Sequence, residues 1–580
     1  MKNSNIFIPL IALGFLCSCN GNTSNNTTTN SGTNDNVTYL TPEDNGTATI
    51  KIHKGNDSTS KNRYLPPKNV DIKYTYNDLN GLLAETESVC PSVGDVNLLV
   101  IPVHIPGSEK YKTDKVKHDI ETMFFSTDSD EMATPSLKEY YYQSSFGKLN
   151  FDGVVTDWFD ITEHLGIESD KYIAYRTFGS IILPKAVEWA VRTQDINLKD
   201  FDRNNDGNID GVWLVYDHLN VINQMDFDYR KSPETFDYYS YNQTFYKFTN
   251  WDYTTSPNLK NPTTSGYSVA SFDMMYSSYA NRDADDFIID EDFSNDKLDS
   301  HSFVHETGHL LGLRDYISSS SSSSHPAGGF TMMDGEVGDF DSYSKLLLGW
   351  VTPYVVYGSS EILIPTATSS DHGVIVVPNN FNEISSMIER QISQGTIDQF
   401  RYSFNPFSEY LLIDLYSPDG LNAIDVFGSK DGKFVHESVD GVSETGVRIY
   451  HIDSRIFKVR VVNYEGGSTL SYTKGYVWDG NPLSYDESLL MPISNSKTEN
   501  SDYNLPIDFD FFEQIRLVEA SGINTFDKDG VMTSRSLFTN TTSGFDIDNF
   551  GYQFFNAKYT FNSGNELPFK IDVLTLKEIY

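Results

Sequence analysis

The hydrophobic and polar positions divide this chain near residue 350. Before that point, buried-strand runs alternate with helical periodicity. Val96-Asn97-Leu98-Leu99-Val100-Ile101-Pro102-Val103 is almost continuously apolar, the pattern of a strand buried in the core. Residues 149–155 and 211–216 read as further strands, and residues 114–125 and 181–193 as helices. Pro135-Ser136-Leu137-Lys138-Glu139-Tyr140-Tyr141-Tyr142 reads as a helix start with proline in its first turn. Residues 302–312 read as a buried helix, since Phe303-Val304 and Leu310-Leu311 flank it; residues 341–348 read as one more. Beyond Gly349-Trp350 the texture changes. Short alternating runs, such as residues 410–415 and 446–452, are separated by Gly, Asp, Asn and Ser, as in an antiparallel β-sandwich. The expected architecture is α+β: a mixed domain over residues 95–355, then a β-rich, sandwich-like region over 356–580.

The N-terminus has a different character. Lys2 precedes an uncharged apolar run from Ile6 to Cys17, too short to span a membrane as a stable helix. It ends Leu16-Cys17-Ser18-Cys19, which resembles a bacterial lipobox with Cys19 as the lipidated residue; an ordinary cleaved signal is the alternative. The expectation is a signal over 1–19, palmitate or similar acyl chains on Cys19, and a protein on the extracellular face of a bacterial cell membrane or shed from it. Residues 20–60 are rich in Asn, Thr, Ser and Gly at their start and read as a low-complexity tether. Residues 61–94 read as a short pro-region or linker.

Composition narrows the partners. The net charge of −38 argues against nucleic acid and against electrostatic binding to anionic lipid. Membrane contact is expected only through the lipid anchor, and the chain is expected to be a monomer. Of three cysteines only Cys90 would remain in the mature body, so no intramolecular disulfide is available.

The candidate chemistry sits in His305-Glu306-Thr307-Gly308-His309-Leu310-Leu311-Gly312-Leu313-Arg314-Asp315. Residues four apart share one face of a helix, so His305 and His309 can offer two imidazoles to one metal. Glu306, about 100° round the axis, can hold a water and take its proton. Gly312 lets the chain leave the helix and bring Asp315 back as a third ligand. Two histidines and one carboxylate leave an open position, the mark of a catalytic rather than a structural zinc. Histidine is scarce, 12 of 580 residues, which makes a chance match uncommon.

Asp202-Arg203-Asn204-Asn205-Asp206-Gly207-Asn208-Ile209-Asp210 places oxygen ligands at alternate positions around a glycine turn, which suits calcium. The candidate ligands are Asp202, Asn204, Asp206, Asn208 and Asp210. Position twelve is Trp213 rather than glutamate, so this is not an EF-hand; a tight Asx turn is the alternative. Residues 282–299 carry eight acidic side chains that could add calcium ligands, line a cleft or form a solvated loop. Seven serines, 318–324, read as a loop at the cleft rim. His301 and His325 flank the motif as candidate substrate-binding groups or as ordinary histidines. Cys90 reads as a zinc-capping thiolate of a latent form or as a buried inert residue.

The chain resembles the immune inhibitor A family of secreted bacterial zinc metallopeptidases over roughly residues 95–460. The resemblance rests on Ser136-Leu137-Lys138-Glu139-Tyr140-Tyr141-Tyr142-Gln143-Ser144-Ser145-Phe146-Gly147-Lys148-Leu149, the Asp202–Asp210 turn, the metal motif, Met333-Asp334-Gly335, Lys345-Leu346-Leu347-Leu348-Gly349-Trp350, and the strand from Gly446 to Asp453. It implies a metzincin-like catalytic domain with zinc, structural calcium and endopeptidase activity on a protein or peptide substrate. It implies His305, His309 and Asp315 as ligands, Glu306 as the base, and Met333, or its neighbour Met332, on a turn beneath the metal. Leu313-Arg314-Asp315-Tyr316-Ile317-Ser318 lacks the proline and second aspartate the family often carries there, so Glu336 is the alternative third ligand. A non-catalytic surface lipoprotein that binds host protein or glycan on the same scaffold is the rival expectation, and a zinc hydrolase of non-peptide amides a third.

Overall fold

Alternate residues of one strand, Gly94–His104, feed two separate hydrophobic cores, and this organises the first half of the chain. Val96, Leu98 and Val100 join the larger core, while Leu99, Ile101 and Val103 join the smaller one. Side chains of a strand alternate between faces, so the continuous apolar run reflects a sheet covered on both sides. The computed structural model describes residues 46–54, 62–69, 90–168, 181–218, 241–248, 259–277, 293, 296–313, 316, 325–335, 337–396, 407, 409–427, 442–453, 462–463, 469–470, 515–523, 525–526, 530–551, 560–561, 564–567 and 569–577. The signal segment, Cys19, the serine run and most of the 282–299 acidic stretch lie outside them.

In chain order the first strands are β1 (Thr47–Lys54), β2 (Tyr64–Leu65), β3 (Gly94–His104), β4 (Leu149–Val155), β5 (Phe159–Asp160), β6 (Asn208–Ile209), β7 (Val212–Tyr216), β8 (Tyr241–Phe248) and β9 (Thr263–Ser271). The first large sheet runs β4-β3-β7-β9-β6, with β5 beside β3 and β8 beside β9. Its pairings are parallel except for β8, which is antiparallel to β9. The Leu183–Thr193 helix covers one face with Leu183, Ala186, Val187 and Ala190. The other face carries the Asp114–Phe125, Leu137–Ser144 and His301–Leu310 helices.

Local signals start these helices. The Thr113 side chain accepts from the Val116 N–H at the head of Asp114–Phe125. Ser136 and Glu139 form a reciprocal capping box ahead of Leu137–Ser144. Pro135 therefore stands before the cap rather than in the first turn, a correction to the expected start. Serine at the cap satisfies a helix N–H, which proline one place earlier leaves undisturbed.

The later strands are β10 (Tyr354–Val356), β11 (Ser360–Pro365), β12 (Val374–Pro378), β13 (Glu409–Tyr416), β14 (Gly446–Asp453), β15 (Val462–Asn463), β16 (Thr469–Leu470), β17 (Ile515–Leu517) and β18 (Phe569–Lys577). A second sheet runs β17-β14-β13-β12-β10-β2, and a third β11-β1-β18. Every residue of β13 and of β14 is buried. The Phe381–Gln394 helix, which the alternating texture did not predict, packs Phe381, Ile384, Met387 and Ile388 into the same core.

Two expected boundaries move. Residues 47–54, assigned by composition to the tether, form the central strand of the third sheet, with Ala48, Ile50 and Ile52 fully buried. Tyr64–Leu65, in the expected pro-region, pairs with β10. The expected division at 355/356 falls inside β10, and one hydrophobic core runs from Ala48 to Ile571 across it. Composition near an N-terminus says little about long-range pairing, because the 8 residues of β1 are enough to complete a sheet whose other strands lie hundreds of positions away.

Candidate metal centre

The His301–Leu310 helix is laid against the first sheet by its apolar face. Phe303, Val304 and Leu310 are fully buried, each contributing roughly 2 kcal/mol. The Phe303 ring packs on Trp213 of β7 at 5.1 Å, and Phe124 meets both rings edge-on. Two polar contacts fix its rotation: Trp213 Nε1–H donates to Thr307 Oγ1 at 3.2 Å, and the Ser268 hydroxyl of β9 donates to the Glu306 carbonyl at 3.4 Å. The Tyr141 hydroxyl donates to the Val304 carbonyl at 2.7 Å.

This leaves His305, Glu306 and His309 together on the helix. The two imidazole rings stand 4.9 Å apart, nearly perpendicular at 88°. His305 donates from Nδ1 to the Met332 carbonyl at 2.8 Å, and His309 from Nδ1 to the Leu313 carbonyl at 3.0 Å. A carbonyl can only accept, so these bonds set the tautomer of both rings and make Nε2 the nitrogen through which each would hold a metal. The Leu313 carbonyl is aimed by the helix end. Gly312, at φ 94°, closes a Schellman cap in which the Gly312 N–H donates to the His309 carbonyl and the Leu313 N–H to the Gly308 carbonyl.

The methionine turn lies beneath. Met332–Gly335 is a single helical turn with Met332 and Met333 buried. A Cβ placed on Gly308 would sit 2.9 Å from Met333 Sδ, so the thioether packs directly on the helix between the two histidines in sequence. The candidate third ligands, Asp315 and Glu336, both lie outside the described residues. Among the described residues no group of three or more His, Cys, Asp or Glu stands ready to hold a metal ion. What the structure brings together is the histidine pair, Glu306 beside it, and Met333 below.

The flanking groups have clear roles. His301 is buried with Nδ1 2.6 Å from Asp299 Oδ1 and Nε2 3.2 Å from Asp425 Oδ1. Burial works against its charge, but the two carboxylates outweigh that and raise its pKa well above the usual histidine range. The two buried carboxylates hold its ring from both nitrogens. His325 donates from Nδ1 to the Asp334 carbonyl at 3.1 Å, and Asp334 Oδ2 accepts the Ala327 and Gly329 N–H groups at 2.9 Å each. Burial pushes the Asp334 carboxyl up to about 6. Cys90 is buried, its thiol raised by burial and then by Asp210, and its N–H donates to the Leu310 carbonyl at 3.1 Å. Its backbone N–H ties it to the helix end.

In the acidic turn, Asp202 accepts the N–H groups of Asp206 and Gly207 at 3.0 and 3.1 Å, and Asp206 accepts that of Asn208 at 2.7 Å. Asn204 accepts the Asp206 N–H at 3.1 Å. Asp210 Oδ2 accepts the Arg203 N–H at 2.9 Å, while its buried Oδ1 has no hydrogen-bond partner among the described residues. Burial, with Asp202 and Asp206 adding to it, pushes the Asp210 carboxyl up to about 7. The orphaned buried Asp210 oxygen suits a hard cation, though the turn's carboxylates are not grouped to hold one among the described residues.

Sequence reasoning missed the Met332 and Leu313 carbonyls, Tyr141, Asp299 and Asp425. Only the tyrosine carried a signal, as part of the Ser136–Leu149 segment. Compared with protein-family models and with curated proteins, the chain matches none.

Proposed function

We propose that the chain is an exported zinc-dependent endopeptidase, of the kind its likeness to the immune inhibitor A family implies, built on a metzincin-like catalytic unit. The observation that carries this is the pair His305 and His309 on one helix, each ring fixed through Nδ1 to a backbone carbonyl. Such bonds orient and strengthen imidazole ligands, and here they leave Nε2 of both rings for a metal. Asp315, or Glu336 in its place, completes the set.

Zinc, when bound, acidifies water and polarises the scissile carbonyl. The chain's own groups do the rest. Glu306, beside the pair, accepts the proton of the attacking water and hands it to the departing amine. No covalent intermediate with the protein is needed. The orphaned Asp210 oxygen supports a structural calcium in the 202–210 turn. Lipidation at Cys19 would hold the enzyme outside the membrane.

The test is cleavage of a degenerate peptide library by the ectodomain, with and without a zinc chelator, beside Glu306→Gln. An amide cannot take the proton, so that variant should keep its zinc and lose a factor of about 10²–10⁴ in turnover. A zinc-loaded wild type that cleaves nothing favours the binding lipoprotein instead. Undiminished turnover in Glu306→Gln rules out the mechanism.

A further inference from the structure

The metal site is approached from two sides, and one carboxylate grips both. On one side is the His301–Leu310 helix, on the other the turn that follows Met332. Asp425, on the Leu421–Phe427 helix, places Oδ1 3.2 Å from His301 Nε2, and its Oδ2 accepts the Gly338 N–H at 2.5 Å. His301 stands four residues before His305, on the same helix face. From Gly338 the path continues through Asp339, whose carbonyl accepts the Met332 N–H at 3.3 Å, to the Met332 carbonyl that holds His305 Nδ1 at 2.8 Å. The path from Asp425 therefore closes on itself through His305. Asn422, one turn earlier on the same short helix, accepts the Asp339 N–H at 3.0 Å and tightens the same turn.

We propose that Asp425 is a positioning residue for His305. It sets the distance between the helix that carries the imidazole and the carbonyl that orients it. Asp299, Asp425 and His301 are all buried, so the triad is rigid and removing one member leaves a buried charge under-compensated. Ligand-orienting contacts of this kind typically change metal affinity 10–100-fold. Asp425 also belongs to the segment beyond residue 355. The metal centre is thus completed from the second half of the chain, and residues 95–355 alone would hold a poorly ordered site. This inference rests on the zinc reading given above.

The test measures zinc affinity of the full ectodomain by chelator competition, and the visible spectrum of the cobalt-substituted protein, for wild type, Asp425→Asn and Asp425→Glu. Ile50→Ala, in the distant β1 strand, serves as a control for general destabilisation. The expected result is a 10–100-fold loss of zinc affinity and an altered cobalt spectrum in Asp425→Asn, with partial recovery in Asp425→Glu. Ile50→Ala should lose thermal stability while zinc affinity and spectrum stay put. Should Asp425→Asn not fold, His301→Gln removes the other end of the same contact and is read in its place. Wild-type zinc affinity and an unchanged cobalt spectrum in the Asp425 or His301 variant would overturn the proposal and leave the zinc reading standing. A wild-type chain that binds no zinc would overturn both.

Discussion

Gly308 and Met333 touch so closely that a single methyl group between them would lie 2.9 Å from the sulfur. The thioether and the helix turn joining His305 to His309 are one packed unit, with Phe340 3.4 Å from the same point. Gly308→Ala should therefore cost about 1–3 kcal/mol by overpacking. Met333→Ala in the same chain should recover part of that loss, because the two residues share one contact. Thermal or denaturant unfolding of the two singles and the double gives the coupling. Strictly additive effects would mean that methionine and helix do not pack as described.

Gly312→Ala tests the helix end. At φ 94° an alanine is strained by roughly 1–2 kcal/mol, and relief of that strain would displace the Leu313 carbonyl from His309. Zinc affinity should fall by about 10-fold or more, along with stability. If stability drops while chelator competition finds zinc held as tightly as before, the carbonyl does not orient His309.

Calcium should raise the melting temperature by binding the folded chain. Asp202→Ala with Asp206→Ala should blunt that rise, since the charges of both carboxylates act on Asp210. Scanning calorimetry with and without a calcium chelator decides it. A melting temperature indifferent to calcium in the wild type makes the turn a purely hydrogen-bonded one.

Cys90 should resist alkylation in the native state at pH 8, because its thiol is buried and its pKa is raised, so almost none of it is thiolate. Reactivity should appear on unfolding and not on zinc removal. Rapid labelling after chelation would instead identify the thiol as a ligand of a latent form.

Cys19→Ser should move the protein from the membrane fraction into the medium. The proposed acyl chains on Cys19 would be the anchor; among the described residues no helix is long and apolar enough to cross a membrane. Fractionation with mass spectrometry of the N-terminal peptide reads the outcome, and a wild type already free of lipid would refute the anchor.

Much of this protein was legible in its sequence, and for local reasons. The 114–125 helix, the 149–155 strand and the metal-motif helix follow from periodicity and caps within a dozen residues. The four-residue spacing of His305 and His309 dictates that they share a face wherever the helix lies. Gly312 could be read as the helix stop because few other residues adopt its φ. Tertiary structure alone decided the rest. Nothing local says that residues 47–54 fill the middle of a sheet between β11 and β18, since each pairing partner lies hundreds of residues away. Nor does any motif announce the Met332 carbonyl behind His305, or Asp425 bridging His301 and Gly338 from more than eighty residues beyond either. Backbone carbonyls carry no residue identity, and a buried aspartate looks like any other until the fold chooses its partner. Sequence named the histidine pair as a candidate metal site; folding chose the carbonyls that orient both rings.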